Sequence, residues 1–283
     1  MVSIVITAYN VGKWIGKAVE SACIQTHDDI EIIVVEDHSS DNTGEILSNI
    51  RDGRIKVIYN PENLGAGASR RIGIDAAKGE YILLMDGDDW LDEGFIASLY
   101  RRAVETGADI VSGGVTIIHE DGSRKAFSYG KKSVEGEEKL AHFWKEDVVF
   151  INNKLIHRTL HEKVPYCTRR YIEDTPVIIP MLYLANKVAY IDNTGYNYRQ
   201  HGSSLTHTAT PFKEALFRAL CAEDLVSFFE KHDKEILKKE KLGKTYADCL
   251  YRIKECHPNA NIIEPFKDEW IEYTAKLMER IGT

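Results

Sequence analysis

Asp86, Asp88 and Asp89 stand within four positions of one another, in the run Met85-Asp86-Gly87-Asp88-Asp89-Trp90. The apolar stretch Tyr81-Ile82-Leu83-Leu84-Met85 before them reads as a buried β-strand. Three carboxylates at the C-terminal end of a strand make a hard-oxygen site. Such a site suits Mg²⁺ or Mn²⁺ shared with the phosphates of a ligand. Gly87 lets the backbone turn sharply and come close to that ligand. An acidic turn is the plainer reading, since Asp and Gly are ordinary turn residues. The triplet alone does not choose between the two.

Two more strand patterns end in polar residues. One ends in Thr7-Ala8-Tyr9-Asn10, the other in Glu36-Asp37-His38-Ser39-Ser40. Open α/β sheets place their ligands at such ends, so three of them can converge on one crevice. Tyr9 can stack on a base, and Asp37 can accept from a base N–H or a ribose hydroxyl. Singly, a half-buried ring and a helix cap explain these residues as well; together they favour a ligand. Gly65-Ala66-Gly67-Ala68-Ser69-Arg70 imitates a dinucleotide fingerprint and fails it. Arg70 stands where the third Gly belongs, and the run follows the third strand instead of the first. A helix start with Arg70 still favours a diphosphate.

The elements that position these residues follow from periodicity. Strands are expected at Val2–Ile6, Glu31–Val35, Ile55–Tyr59 and Tyr81–Met85, with helices between them, as in βαβ units. Helices are expected around Trp14–Ala22, after Ser40 or Asp41, over Ala66–Ala77 and from Asp92. Asp109–Ser112, Val115–Ile118 and Val188–Ile191 read as further strands, with Asp121-Gly122 a turn. Gly136–Trp144 reads as helical. From Pro211 onward the pattern is helical throughout, and Trp270, Thr274, Leu277, Met278 and Ile281 share one face. The fold class is α/β, with a C-terminal helical extension.

Hydrophobic residues make up 43% of the 283, enough for a full core. The net charge is −8, which argues against nucleic acid as a partner. The first 211 residues hold 23 Lys and Arg against 30 Asp and Glu, so the acidity lies with the carboxylate clusters. Cys23, Cys167, Cys221, Cys249 and Cys256 are odd in number and show no CxxC spacing. Reduced thiols in a cytoplasmic setting are the expectation. No leader pattern precedes the strand at Val2, and no apolar run approaches the ~20 residues of a membrane span. The lysines between Lys231 and Lys244 are mixed with acids and read as a solvated helix face.

Taken in order, Ser3-Ile4-Val5-Ile6-Thr7-Ala8-Tyr9-Asn10, Val34 to Asp41, Asn63-Leu64-Gly65 with Ala68-Ser69-Arg70, Gly79-Glu80-Tyr81 and Asp86 to Trp90 resemble glycosyltransferase family 2, the inverting enzymes of GT-A fold. Glu173-Asp174 looks like the family's ED motif. Tyr196-Asn197-Tyr198-Arg199-Gln200-His201-Gly202-Ser203-Ser204 looks like its C-terminal aromatic-basic motif. The family's common Asp-Asp-Gly-Ser is Glu36-Asp37-His38-Ser39 here, and Arg71 stands where Asn often follows the Arg.

The resemblance implies a donor site of Thr7, Ala8, Tyr9, Glu36, Asp37, Arg70, Asp86 and Gly87. Thr7, Ala8, Tyr9 and Asp37 surround the nucleoside; Arg70 and Asp86 lie near the ribose and sugar. It implies Asp88 as leading ligand of Mn²⁺ or Mg²⁺, His201 as a further metal or pyrophosphate contact, and Asp174 as general base. It implies a catalytic domain over 1–210, a Rossmann-like mixed sheet flanked by helices, with 1–112 binding the nucleotide-sugar and 113–210 the acceptor; the helical tail over 211–283 matches nothing general in the family. A UDP-sugar donor and a carbohydrate or glycolipid acceptor follow, in polysaccharide or glycolipid assembly. Peripheral contact with the inner face of a membrane and a homodimer through the C-terminal helices remain open. The competing readings are a nucleotide-sugar-forming nucleotidyltransferase and a catalytically silent nucleotide- or sugar-binding scaffold.

Overall fold

The computed structural model describes residues 1–128, 130, 132–136, 138–139, 150–166, 174–202, 221 and 224–233. The chain divides into two compact units, Met1–His201 and Gly202–Thr283.

In the first unit, β1 (Val2–Ala8) is buried at all seven positions, as a doubly covered parallel strand must be. It lies between β2 (Ile30–Glu36) and β4 (Tyr81–Asp86), parallel to both, and β3 (Ile55–Tyr59) extends the sheet beside β2. The other side is built from β6 (Ile110–Ser112), β9 (Ser133–Glu135), β10 (Lys154–His157) and β11 (Lys187–Tyr190). The sheet order is β3-β2-β1-β4-β10-β6-β11-β9, with β10 antiparallel to β4 and β6. A second sheet of order β5-β12-β7-β8 joins β5 (Trp90–Leu91), β7 (Val115–Ile118), β8 (Arg124–Phe127) and β12 (Tyr196–Arg199).

Side-chain alternation along β1 assigns its two faces. Ile4 and Ile6 join Ile32, Val34, Leu83 and Met85 in the core under α1 (Ile15–Cys23) and α4 (Phe95–Thr106). Val5 faces α3 (Ala66–Ala76): a Cβ at Gly73 would sit 2.3 Å from Val5 Cγ1, so only glycine lets this helix close on the sheet. Short helices α2 (Thr43–Ser48) and α5 (Arg158–Lys163) and the apolar α6 (Thr175–Leu184) complete the unit.

The sequence-derived elements of the first 118 residues are present, with strand ends extended. β1 continues to Ala8, and β4 takes in Asp86. α4 starts at Phe95 instead of Asp92, because Gly94 adopts φ +79 and sets the helix start there. β5, β8, β9, β10, β12 and α5 were not anticipated. Of the expected helix 136–144, Glu138 and Lys139 are helical and the rest lies outside the described residues. In the second unit, 224–232 is helical and Leu225, Val226 and Phe229 are buried. Cys221 is helical as well; apart from it and Asp233, the remainder of the expected helical tail lies outside the described residues, as do Glu173, Ser203 and Ser204. Among the described residues no helix is long and apolar enough to cross a membrane.

Candidate active site

Backbone hydrogen bonds fasten together the C-terminal ends of the three central strands. Asp37 N–H donates to Ala8 O at 2.8 Å, and Gly87 N–H donates to Thr7 O at 2.8 Å. Thr7, Ala8, Glu36, Asp37, Asp86 and Gly87 therefore meet at one edge of the sheet. The strand order reverses direction there, since β2 lies on one side of β1 and β4 on the other. A Cβ on Gly87 would meet Thr7 O at 2.9 Å and Val11 Cγ2 at 3.0 Å. Close packing against β1 and the loop after it, not a special dihedral angle, demands glycine at this position.

Tyr9, 47% exposed, stands clear of the edge as a free stacking surface. Asp37 is buried and does structural work: Oδ1 accepts from Asn60 Nδ2 at 2.7 Å and Leu64 N–H at 2.9 Å, and Oδ2 from Gly65 N–H at 2.8 Å. It anchors the loop leading into α3. A carboxylate has about four acceptor directions, so one remains for a ligand. Glu36 turns away from this task, accepting from Ser39 N–H at 2.7 Å within its own turn. That turn holds His38 at φ +59, a left-handed conformation that suits glycine, and Asn10 across from it has φ 53.

Arg70 projects from α3 as a buried bridge. Its NH2 donates to Asp86 Oδ1 at 3.0 Å and its NH1 to Asp174 Oδ1 at 2.5 Å. Thr7 Oγ1 donates to Asp86 Oδ1 at 3.2 Å, and Asn152 Nδ2 to Asp86 Oδ2 at 2.7 Å. Asp174 occupies the N-cap position of α6, yet its side chain makes no capping bond. It faces Arg70 instead, and the backbone N–H of Ile151 approaches its Oδ2 at 3.5 Å. Its position is that of a helix start, and its carboxylate serves the site. Neighbouring Arg71 only packs, pairing with Asp75 at 2.5 Å and donating to the His161 carbonyl at 3.2 Å.

Beyond Gly87 the two remaining carboxylates part company. Asp89 is fully enclosed, taking Tyr196 OH on Oδ2 at 2.5 Å and Arg199 N–H on Oδ1 at 2.8 Å. Burial first, then the charges of Asp88 and Asp86, drive its pKa well above the usual carboxylate range. It ties β12 to the acidic turn. Asp88 Oδ2 lies 2.9 Å from His201 Nε2, and burial followed by the Asp86 charge raises its pKa. The His201 ring stacks on Trp14 at 4.1 Å, and the Arg199 guanidinium lies 4.7 Å from the Trp90 ring centre. Stacking thus fixes the imidazole toward Asp88.

Among the described residues no group of three or more His, Cys, Asp or Glu side chains is arranged to hold a metal ion. Asp88 and His201 alone suit one that keeps other ligands. Adjacent ligands of a six-coordinate ion with ~2.1 Å bonds lie about 3 Å apart, close to their 2.9 Å separation. A cation would also offset the burial and the Asp86 repulsion that Asp88 suffers. The pair fits an ion shared with a diphosphate, and does not fit an all-protein cage.

The site residues expected from sequence fall into one neighbourhood, and Asn152, Tyr196 and Asp89 add unforeseen contacts. Tyr196 carried a signal, because its aromatic-basic run follows the strand period. Asn152, in a short polar turn, carried none.

Comparison with known proteins finds relatives in sequence and in fold. The profile of glycosyl transferase family 2 matches residues 3–167. Glycosyltransferase GlyG of Streptococcus pneumoniae is 32% identical over 244 residues, 82% of this chain and 79% of that protein. An Escherichia coli protein, the UDP-Glc:alpha-D-GlcNAc-diphosphoundecaprenol beta-1,3-glucosyltransferase WfaP, is 44% identical over 90 residues, 32% of this chain and 36% of that one. The crystal structure of S. aureus TarS 1-349 in complex with UDP-GlcNAc superposes with a TM-score of 0.72 at 18% identity, covering 99% of this chain and 81% of that one.

Proposed function

The chain belongs to glycosyltransferase family 2 and has its GT-A fold, and from that premise we propose that it moves a sugar from a UDP-sugar to an acceptor hydroxyl, with inversion and with the help of a divalent cation. The nucleotidyltransferase alternative falls with that membership. The observation that carries the reading is the Arg70 bridge. One guanidinium joins Asp86, at the end of the donor-side strand β4, to Asp174, at the start of α6. The carboxylates that this reading assigns to the donor and to the acceptor are thus held by one side chain.

In this reading the exposed Tyr9 ring and the open acceptor direction of Asp37 receive the uracil. Asp86 and Arg70 lie along the sugar and diphosphate. The bond from the anomeric carbon to the diphosphate oxygen breaks as the acceptor oxygen attacks from the opposite face. Asp174 takes the acceptor's proton, since a hydroxyl is a poor nucleophile near neutral pH. Arg70 and the Ile151 N–H hold the Asp174 carboxylate in place, so little reorganisation is needed at the moment of attack. Held by Asp88 and His201, Mn²⁺ or Mg²⁺ would neutralise charge developing on the diphosphate.

A bound UDP-sugar in TarS and a UDP-glucose donor in the name of WfaP support the choice of donor. The diphosphoundecaprenol-linked acceptor in the latter name supports a glycolipid acceptor and a role in surface polysaccharide or glycolipid assembly at a membrane. A panel of UDP-, GDP- and dTDP-sugars tested by thermal shift decides the donor, because a ligand of the native state raises its apparent stability. UDP-sugars with Mn²⁺ should raise Tm and release UDP on incubation. A response confined to GDP- or dTDP-sugars would overturn the reading.

A further inference from the structure

Asp86 is held from three directions. Thr7 Oγ1 at 3.2 Å and Arg70 NH2 at 3.0 Å both donate to Oδ1 and fill its two acceptor directions. Asn152 Nδ2 at 2.7 Å fills one direction of Oδ2. One acceptor direction is left, on a side chain 31% exposed at the strand end.

Asn152 is 5% exposed. Its orientation is fixed chemically: an ionised carboxylate only accepts, so the amide nitrogen faces Asp86. The amide oxygen is then enclosed and has no hydrogen-bond partner among the described residues. An unpaired buried acceptor is a standing cost to stability. The turn bearing it is nevertheless firmly set. Asn153 Nδ2 donates to Gly113 O at 2.5 Å, Gly113 N–H returns a bond to Asn153 O at 3.0 Å, and Lys154 Nζ donates to Asn153 Oδ1 at 2.8 Å.

We propose that Asn152 is a specificity-determining positioning residue of the donor site: it fixes the Asp86 carboxylate so that one acceptor direction remains, and that direction receives one hydroxyl of the transferred sugar. The inference rests on the UDP-sugar reading above. Without the Asn152 N–H, Asp86 can rotate and take water, and the site no longer distinguishes a sugar that lacks the hydroxyl.

The test takes the most rapidly hydrolysed of UDP-glucose, UDP-galactose and UDP-GlcNAc, with its singly deoxygenated analogues. kcat/KM for UDP release is measured for wild type and Asn152→Leu, with UDP affinity by calorimetry and Tm alongside. Wild type should disfavour one deoxy donor by about 10–10²-fold, the range for a lost hydrogen bond to a charged group. In Asn152→Leu that preference should fall below about 3-fold, with UDP affinity preserved and Tm equal or higher, since the unpaired acceptor is gone. A lowered Tm with all donors slowed in parallel would mean a structural role only. Weakened UDP binding with the preference intact would place Asp86 on the ribose. Either result overturns the proposal. Should the leucine variant fail to fold, Asn152→Ala removes the donor and the unpaired acceptor without adding a charge beside Asp86, and is read by the same donor preference and UDP affinity. A wild-type protein that binds no UDP-sugar would sink the donor reading before any substitution is made, and this inference with it.

Discussion

Arg70 touches both halves of the site, and the chemistry of the other residues is arranged around it. Of the neighbouring carboxylates, Asp86 and Asp174 are bound to its guanidinium, Asp89 is locked to Tyr196, and Asp88 faces His201. The residue types and their strand-end positions were readable in the sequence, because three strand patterns in series end in polar residues and can converge on one crevice. Which carboxylate does what was not readable, since partners such as Tyr196 and Asn152 arrive from remote segments. The structure separates the roles: Asp88 is the acid of the turn that pairs with an imidazole. Asp88→Asn should lower turnover at least ~10²-fold, as expected for a lost electrostatic contact at the leaving group. Tm should hold, because the substitution removes a charge that burial and Asp86 already disfavour. Excess chelator should act alike on wild type. Turnover unaffected by both would remove the cation from the mechanism.

At the level of elements, the parallel strands β1 to β4 were legible because each is a short apolar run between helical patterns. β10 was not. It opens with Lys154, only 2% exposed in the middle of the sheet, and is preceded by two asparagines. A buried lysine breaks the apolar pattern that sequence reading relies on. The turn after β2 shows a different limit. Where the motif that the sequence resembles has glycine, His38 adopts φ +59, so the departure from that motif is one in backbone strain. His38→Gly should therefore stabilise the protein by about 0.5–1 kcal/mol in urea melts, the penalty relieved less the added flexibility of the unfolded chain. Destabilisation would show that the imidazole has a compensating role.

Across the whole molecule, Lys154 sets a pH dependence of stability. Burial pushes its pKa down to about 7, against the opposing charge of Asp174. In the unfolded chain the amine keeps its proton to about 10.4. Between those values the unfolded state binds more protons, so stability rises with pH, by on the order of 1 kcal/mol per unit. Below the lower value the burden is fully present. Urea melts at pH 7, 8 and 9 should show wild type gaining on Lys154→Met; parallel curves would contradict a depressed pKa. In the proposed reading, the donor edge is made by β1, β2 and β4, whereas Asp174, Asn152 and His201 come from the later half, and one site needs both. The most direct test is turnover of UDP-sugar by Asp174→Asn beside wild type, with UDP affinity measured by calorimetry. Turnover should fall by about 10²–10⁴-fold, the range for lost general-base assistance, while UDP affinity stays within about twofold. Near-normal turnover in Asp174→Asn would contradict its assignment as the base that takes the acceptor's proton.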